Sequence, residues 1–371
     1  RRELLGSFHS HDFFRPDNPE AAKSRDDLAL LALEDVFSWF RNDNGLVAIF
    51  DGTNSTCARR KLILGKIKEQ RPSICIKTIF VEVICDNPDI INANIRATKL
   101  TSPDYTKVDP ERVVEDFKAR IEHYERAYET LGKYDDYHYI KIFDVGKQIV
   151  ANRITGFVPT RIMFFLSNLH IIPRPIYLVR HGESESNRLG RLGGDSDLTE
   201  NGQLFAEELR EWVLKQIPDA EQELIVWSST MTRTVSTAEI IPNAQYVKWK
   251  VLEEINAGIC DGMTYEEIEQ KYPEEFTARS QDKLRYRYPM GESYEDLVRR
   301  LEPVIIELER LRKPILIVGH RATLRCLYGY LCDKTRDDVP HLSLPLHTVV
   351  KLTPTAYGTQ EERFRLMDGY E

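Results

Sequence analysis

Apolar positions fall along this chain in two kinds of pattern. Residues 19–40 repeat apolar side chains every three to four positions, which predicts an amphipathic helix. Residues 45–50 (GLVAIF) form an unbroken apolar run ending at Asp51 and read as a buried strand. Residues 55–69 read as a basic helix and 74–85 as a second strand. Strand, helix and strand at this spacing predict a βαβ unit with a parallel sheet. Helices are expected over 87–99 and 110–132, then a strand over 139–143 before a short helix.

Two prolines bracket an arginine in the segment 171–175 (IIPRP), which denies helix and marks a seam between domains 1–170 and 171–371. Beyond it the α/β alternation resumes. The short runs 176–179 (IYLV), 224–227 (LIVW) and 315–318 (ILIV) suit a sheet buried on both faces. Each stops at a polar cluster: Arg180–His181–Gly182, Ser228 to Arg233, and Gly319–His320–Arg321. Ligands of open α/β sheets bind outside the carboxyl ends of the strands. Three strands ending in cationic or imidazole groups therefore point to one anionic site.

Length and composition narrow the setting. A chain of 371 residues has room for two domains, or three. The balance of 42% hydrophobic and 30% charged residues is that of a folded globular chain, and no run approaches a membrane span. The net charge of −8 argues against nucleic acid or anionic membrane as partner, so anion binding must be local. Six cysteines form no CxxC pair, which gives no sign of zinc and fits free thiols in the cytosol. The chain opens at Arg1 without a signal-like segment, and a fragment of a longer product is expected because natural chains start with Met.

A phosphate-ester hydrolase working without metal needs a nucleophile, cations around the equatorial oxygens and an acid for the leaving alkoxide. His181 can attack phosphorus as a neutral imidazole. Arg180 and Arg233 can clamp oxygens, Asn187 can donate without charge, and a protonated His320 can add a donor. Glu254 can deliver the proton. The neighbouring cations favour the neutral, nucleophilic form of His181.

The segment RHGESESN (180–187) resembles the histidine phosphatase, or phosphoglycerate mutase-like, superfamily. GGDSDLTENG (193–202), STMTRTVSTAE (229–239), EEINAGICDGMTYEEI (253–268), RSQDKLRYRYPMGESYEDLVRRLEPVI (279–305) and GHRATLRCL (319–327) narrow the likeness. Together they resemble the bisphosphatase half of the 6-phosphofructo-2-kinase/fructose-2,6-bisphosphatase family. The resemblance implies that His181 is the phosphorylated nucleophile and Glu254 the proton donor, with Arg180, Asn187, Arg233 and His320 around the transition state. Gly193, Tyr265, Arg279, Lys283, Tyr294 and Arg325 match positions holding the sugar and its second phosphate. Arg279, Lys283 and Arg287 are four apart and would share one face of a helix, a basic patch or a solvated surface. The family has Gln after the second histidine where this chain has Arg321, a guanidinium expected to tighten the hold on fructose 6-phosphate or inorganic phosphate. Cys260 and Cys326 read as packing residues.

In the first half, FDGTNSTCARR (50–60), VICDNPDIINANIRATKLTSPDY (83–105) and EDFKARIEHYE (115–125) resemble the kinase half of the same family. The likeness implies active-site roles for Asp51 and Cys85. It gives fructose 6-phosphate contacts to Arg25, Thr53, Arg59, Lys99, Arg120 and Tyr124, and ATP contacts to the stretch from Asn94 to Lys99. Asp51 can equally be a helix N-cap, and Cys85 a core thiol. The 371 residues contain no G-x-x-x-x-G-K-[ST] loop, whose amides and lysine cradle nucleotide phosphates. Little or no kinase turnover is expected of these residues alone, with ATP and Mg²⁺ relevant only where such a loop is present. An open sheet edge is expected there as well.

The expected fold is thus α/β throughout: an N-terminally truncated P-loop-like kinase domain followed by a doubly wound histidine phosphatase domain. The phosphatase half needs no metal or cofactor. Small sugar phosphates are the expected partners, with a homodimer implied by the resemblance. Two alternatives stay open, a phosphoglycerate mutase-like enzyme and a first half serving only as scaffold or sensor.

Overall fold

A computed structural model describes the chain except residues 1–14, 16, 71–73, 100–108, 133–136, 170–173, 218–223, 243, 356–357 and 369–371, and the side chains of 97, 99 and 110. The chain divides into two compact units, 1–167 and 168–371. Most of the 171–175 seam lies outside the described residues.

The first unit opens with helix α1 (Pro19–Asn42), where Asn18 caps and proline takes the first position. Helix α2 (Cys57–Glu69) is capped by the Thr56 side chain, which accepts from the Arg59 amide at 3.2 Å. Asp51 is therefore not the helix cap. Strand β1 (Phe80–Ile84), helices α3 (Pro88–Lys99) and α4 (Pro110–Ala127), strands β2 (Tyr139–Phe143) and β3 (Gln148–Asn152) and helix α5 (Phe157–Asn168) follow. Helix α4 stops five residues short of its expected end. A single 3-10 turn (Asp144–Gly146) stands where a short helix is expected.

The expected first strand is not formed. Residues 45–50 make no ladder with the described residues, and Leu46 and Ile49 are about nine-tenths exposed, at 91% and 90%. An apolar run becomes a buried strand only when a neighbour pairs with it and both its faces are covered. Here Phe50 packs against the cluster of Leu33, Phe37 and Ile63. The second expected strand is shorter than predicted, beginning at Phe80. The sheet is mixed rather than parallel: β1 pairs parallel with β2, and β2 antiparallel with β3.

The second unit is built on a six-stranded sheet. Its strands are β4 (Ile176–Arg180), β5 (Ile225–Ser228), β6 (Gln245–Lys248), β7 (Ile315–Gly319), β8 (Thr348–Thr355) and β9 (Gly358–Arg365), in the order β6-β5-β7-β4-β8-β9. The first four run parallel, and β8 and β9 close one side antiparallel. Alternate side chains of β4, β5 and β7 feed two cores, as the pleat requires. Ile176, Leu178, Ile315 and Ile317 pack with Leu297, Leu301, Leu308 and Leu327 on one face. Tyr177, Val179, Leu316 and Val318 pack with Phe205, Leu209 and Val213 on the other.

The helices of this unit are α6 (Glu185–Arg188), α7 (Glu200–Gln216), α8 (Thr232–Ala238), α9 (Tyr265–Lys271), α10 (Pro273–Gln281), α11 (Tyr294–Arg300), α12 (Glu302–Arg310) and α13 (Arg321–Leu331). The strand register positions the site. Arg180 lies opposite Gly319, and Ser228 opposite Val318, so three strands end at one level.

Candidate active site

His181 and His320 each follow directly on a paired strand end, and the His181 amide donates to the Gly319 carbonyl at 3.1 Å. Both imidazoles are buried, with ring centroids 5.3 Å apart. The next residue after His181 must be small, because a side chain on Gly182 would strike the Gly202 backbone.

The His181 ring is held in one tautomer. Its Nδ1 faces the Gly182 carbonyl oxygen at 2.7 Å, an acceptor that requires a proton on Nδ1. The lone pair is left on Nε2, which accepts from Arg233 Nε at 3.1 Å. Burial first, then the charges of Arg233 and Arg180, holds the His181 pKa well below the usual histidine value. A neutral imidazole with a directed Nε2 lone pair is the form a phosphorus nucleophile needs.

Arg233 stands on α8, its Nη1 donating to the Gly194 carbonyl at 2.7 Å, with Asp195 at 3.8 Å. Arg180 Nη1 donates to the Leu344 carbonyl at 3.2 Å. Gly193 sits at φ 64° against the Asp261 carboxylate, a conformation and a clearance that favour glycine. The Asn187 side-chain oxygen accepts from the Ser184 amide and hydroxyl, closing the capping box of α6.

Burial above all, then Arg233, His181, Arg180 and Arg300, pushes the His320 pKa well below the usual value and favours the neutral ring, whereas the expected donor role needs the protonated one. An anion placed among these groups supplies the opposite field and favours the imidazolium. Its Nε2 lies 2.8 Å from the Ser229 hydroxyl. Sequence reasoning passed over Ser229, although its place directly after β5 marks it.

Glu254 docks at the amino end of α13. The Ala322 amide meets its two carboxylate oxygens at 3.2 and 3.3 Å, and the Ile255 amide adds a contact at 2.8 Å. The same carboxylate acts electrostatically on Arg233, so Glu254 and the guanidinium that meets His181 share one site.

Beside it lies a basic cluster. Lys283 is pushed down to about 8 by burial and by the charges of Arg325, Arg279 and Arg321. Its Nζ donates to the Pro340 carbonyl at 2.9 Å. Arg279 donates to the Tyr288 hydroxyl at 2.6 Å and to the Tyr265 hydroxyl at 2.9 Å, stacked over the Tyr265 ring. Arg325 reaches the Leu342 carbonyl at 2.6 Å and the Tyr294 hydroxyl at 3.5 Å. Arg321 opens α13 beside them. The expected shared helix face is not what gathers these charges. Helix α10 ends at Gln281, so Lys283 and Arg287 lie beyond it. Arg287 instead pairs with Asp296 at 2.5 Å on an exposed surface. Cys260 and Cys326 are buried, and burial with the Glu254 charge pushes the Cys326 thiol up to about 12, which suits packing.

The candidates of the first unit are less gathered. Asp51 and Thr53 are exposed, and Arg25, Tyr124, Asn94 and Cys85 are half-buried. Cys85 Sγ lies 3.9 Å from the Asn87 carbonyl. Arg59 pairs with Asp26, and the buried Arg120 with Asp116 at 2.9 Å. The Lys99 side chain lies outside the described residues. Magnesium–nucleotide binding takes one or two carboxylates and a set of phosphate-cradling amides. Asp51 can supply the first, and the sequence carries no G-x-x-x-x-G-K-[ST] motif for the second.

Residues 1–173 match the 6-phosphofructo-2-kinase family, and residues 176–366 the histidine phosphatase superfamily, branch 1. A curated relative from Aquarana catesbeiana, 6-phosphofructo-2-kinase/fructose-2,6-bisphosphatase, is 50% identical over 371 residues, covering 99% of this chain and 76% of its own. The Mus musculus and Homo sapiens proteins 6-phosphofructo-2-kinase/fructose-2,6-bisphosphatase 1 are 51% and 50% identical over 368 residues, with the same coverage.

Proposed function

The chain belongs to the 6-phosphofructo-2-kinase/fructose-2,6-bisphosphatase family, and from that premise we propose that residues 171–371 remove the 2-phosphate of fructose 2,6-bisphosphate through a phosphorylated His181. The observation that carries this reading is the His181 tautomer, with Nδ1 bound to the Gly182 carbonyl and Nε2 directed at Arg233.

The 2-phosphate would lie among Arg180, Arg233, Asn187 and His320, with the Nε2 lone pair in line with the ester bond. The nitrogen–phosphorus bond forms as the bond to the sugar oxygen breaks. Glu254, as the carboxylic acid, gives its proton to that oxygen and frees fructose 6-phosphate. A water then attacks the phosphohistidine, Glu254 takes its proton, and phosphate leaves with Nε2 restored. Lys283, Arg279, Arg321 and Arg325, with Tyr265, Tyr294 and Gly193, hold the sugar and its second phosphate. That cluster supports a doubly phosphorylated substrate over a phosphoglycerate.

Residues 1–170 form the kinase half, with fructose 6-phosphate held by Arg25, Thr53, Arg59, Lys99, Arg120 and Tyr124. In a chain that also carries a phosphate-cradling loop, ATP and Mg²⁺ serve synthesis of the bisphosphate. Six free cysteines and the absence of any described helix long enough to cross a membrane suit a cytoplasmic enzyme, and a homodimer is its proposed state. The test is acid-labile ³²P transferred from labelled fructose 2,6-bisphosphate. Label on His181 in the wild type and none in His181→Ala is expected; unlabelled wild type, or a wild type labelled only when a labelled phosphoglycerate is the donor, refutes the reading.

A further inference from the structure

We infer that Arg300 is a positioning residue for the proton donor, an inference that rests on the role of Glu254 given above. Glu254 lies on an irregular segment between the single 3-10 turn Lys250–Leu252 and the turn Gly258–Cys260. Such a segment has no ladder to satisfy its carbonyls, and half-buried carbonyls need donors from elsewhere. Arg300, the last residue of α11, supplies them. Its Nη1 donates to the Val251 carbonyl at 3.0 Å, and its Nη2 to the carbonyls of Glu253 at 3.1 Å and Glu254 at 3.3 Å.

The guanidinium is itself fixed. The Glu292 carboxylate forms an ion pair with it, 2.9 Å from Nε, and accepts a hydrogen bond from Nη2 at 3.1 Å. Glu292 also holds the far side of the segment: its carboxylate accepts from the Asn256 amide at 3.0 Å, and its own amide donates to the Asn256 carbonyl at 2.9 Å. One ion pair thus ties both flanks of Glu254, from 251 to 256, to α11. The side-chain end of Glu254 is set separately by the Ala322 amide, and the Thr323 hydroxyl donates to the Glu253 carbonyl at 2.9 Å. Planar and forked, a guanidinium can serve three carbonyls and a carboxylate at once, which an ammonium cannot.

The consequence is selective. Displacing the acid by an ångström slows only the step that needs its proton, and leaves the nucleophile and the phosphate clamp intact. Single-turnover formation of phospho-His181 separates these effects by leaving group. Fructose 2,6-bisphosphate expels an alkoxide that needs the proton; p-nitrophenyl phosphate expels a phenolate that does not. Arg300→Met is expected to slow phosphorylation from the bisphosphate by about 30-fold, and from the aryl ester by less than about threefold, with Arg300→Lys recovering part of the loss. Should Arg300→Met fail to fold, Glu292→Gln is read in the same way, at about fivefold. Equal slowing with both substrates, or none with either, overturns the inference while leaving the phosphohistidine reading standing. An unlabelled wild type overturns both.

Discussion

The two units draw on similar material and arrive at different sites. In the second, three short apolar runs become strands β4, β5 and β7, covered on both faces, and their register delivers His181, Ser229 and His320 to one level. In the first, an equally apolar run at 45–50 pairs with nothing among the described residues, and the proposed sugar-phosphate cations Arg59 and Arg120 meet acidic neighbours on α1 and α4. Convergence of chemistry follows from strands that share a register. Residue types alone do not produce it.

The comparison is tested most severely at the acid. Glu254→Gln keeps the Ala322 contact geometry but removes the transferable proton, and turnover of fructose 2,6-bisphosphate is expected to fall about 10³-fold. A loss under tenfold in steady-state assays would mean that strand-end convergence had been misassigned its proton donor. Next in size is a contrast of cores. Ile317→Ala, fully buried in β7, is expected to destabilise by about 3 kcal/mol, whereas Val83→Thr, on the exposed face of β1, stays within about 0.5 kcal/mol. Denaturant unfolding followed separately for each unit measures both, and similar losses would dissolve the contrast.

A smaller effect belongs to Lys283, whose pKa near 8 keeps it charged below that pH and neutral above. Rising pH removes a cation from the second-phosphate cluster, so kcat/KM for the bisphosphate should fall roughly threefold to tenfold between pH 7 and pH 9 beyond any change in kcat. Lys283→Arg should flatten that profile. The smallest effect is expected at Arg321. Arg321→Gln, the residue usual in the family, should raise the inhibition constant of fructose 6-phosphate or phosphate about threefold, measured by product inhibition.

Much of the second unit was legible because its signals are local. An unbroken apolar run stopping at Arg-His-Gly states both a strand and what its end presents, and the sheet repeats that statement at Gly319–His320. The basic cluster was legible in part and not in cause: Arg279 and Lys283 do act on one another and Arg287 does not join them, because α10 ends at Gln281 and four-residue spacing no longer sets a shared face. Arg300 left no signal of this role, since the three carbonyls it serves are nearly fifty positions away. The protonation preference of His320 was not legible for a related reason: burial, and after it four neighbours, lower its pKa, and only the fold assembles them. In the first unit, 45–50 misled because apolar content states a preference for burial and says nothing of whether a partner is at hand.

The bond from the His181 amide to the Gly319 carbonyl makes the proposed nucleophile the last rung of the β4–β7 ladder. Its distance from the second imidazole is thereby dictated by peptide geometry, and the surrounding apolar side chains only support it. Exchanges among Ile, Val and Leu beneath the sheet can alter cohesion without moving the reacting nitrogen. One residue inserted into either strand would do more: it would exchange side chains between the two cores, turn an imidazole to the opposite side of the sheet and silence the enzyme.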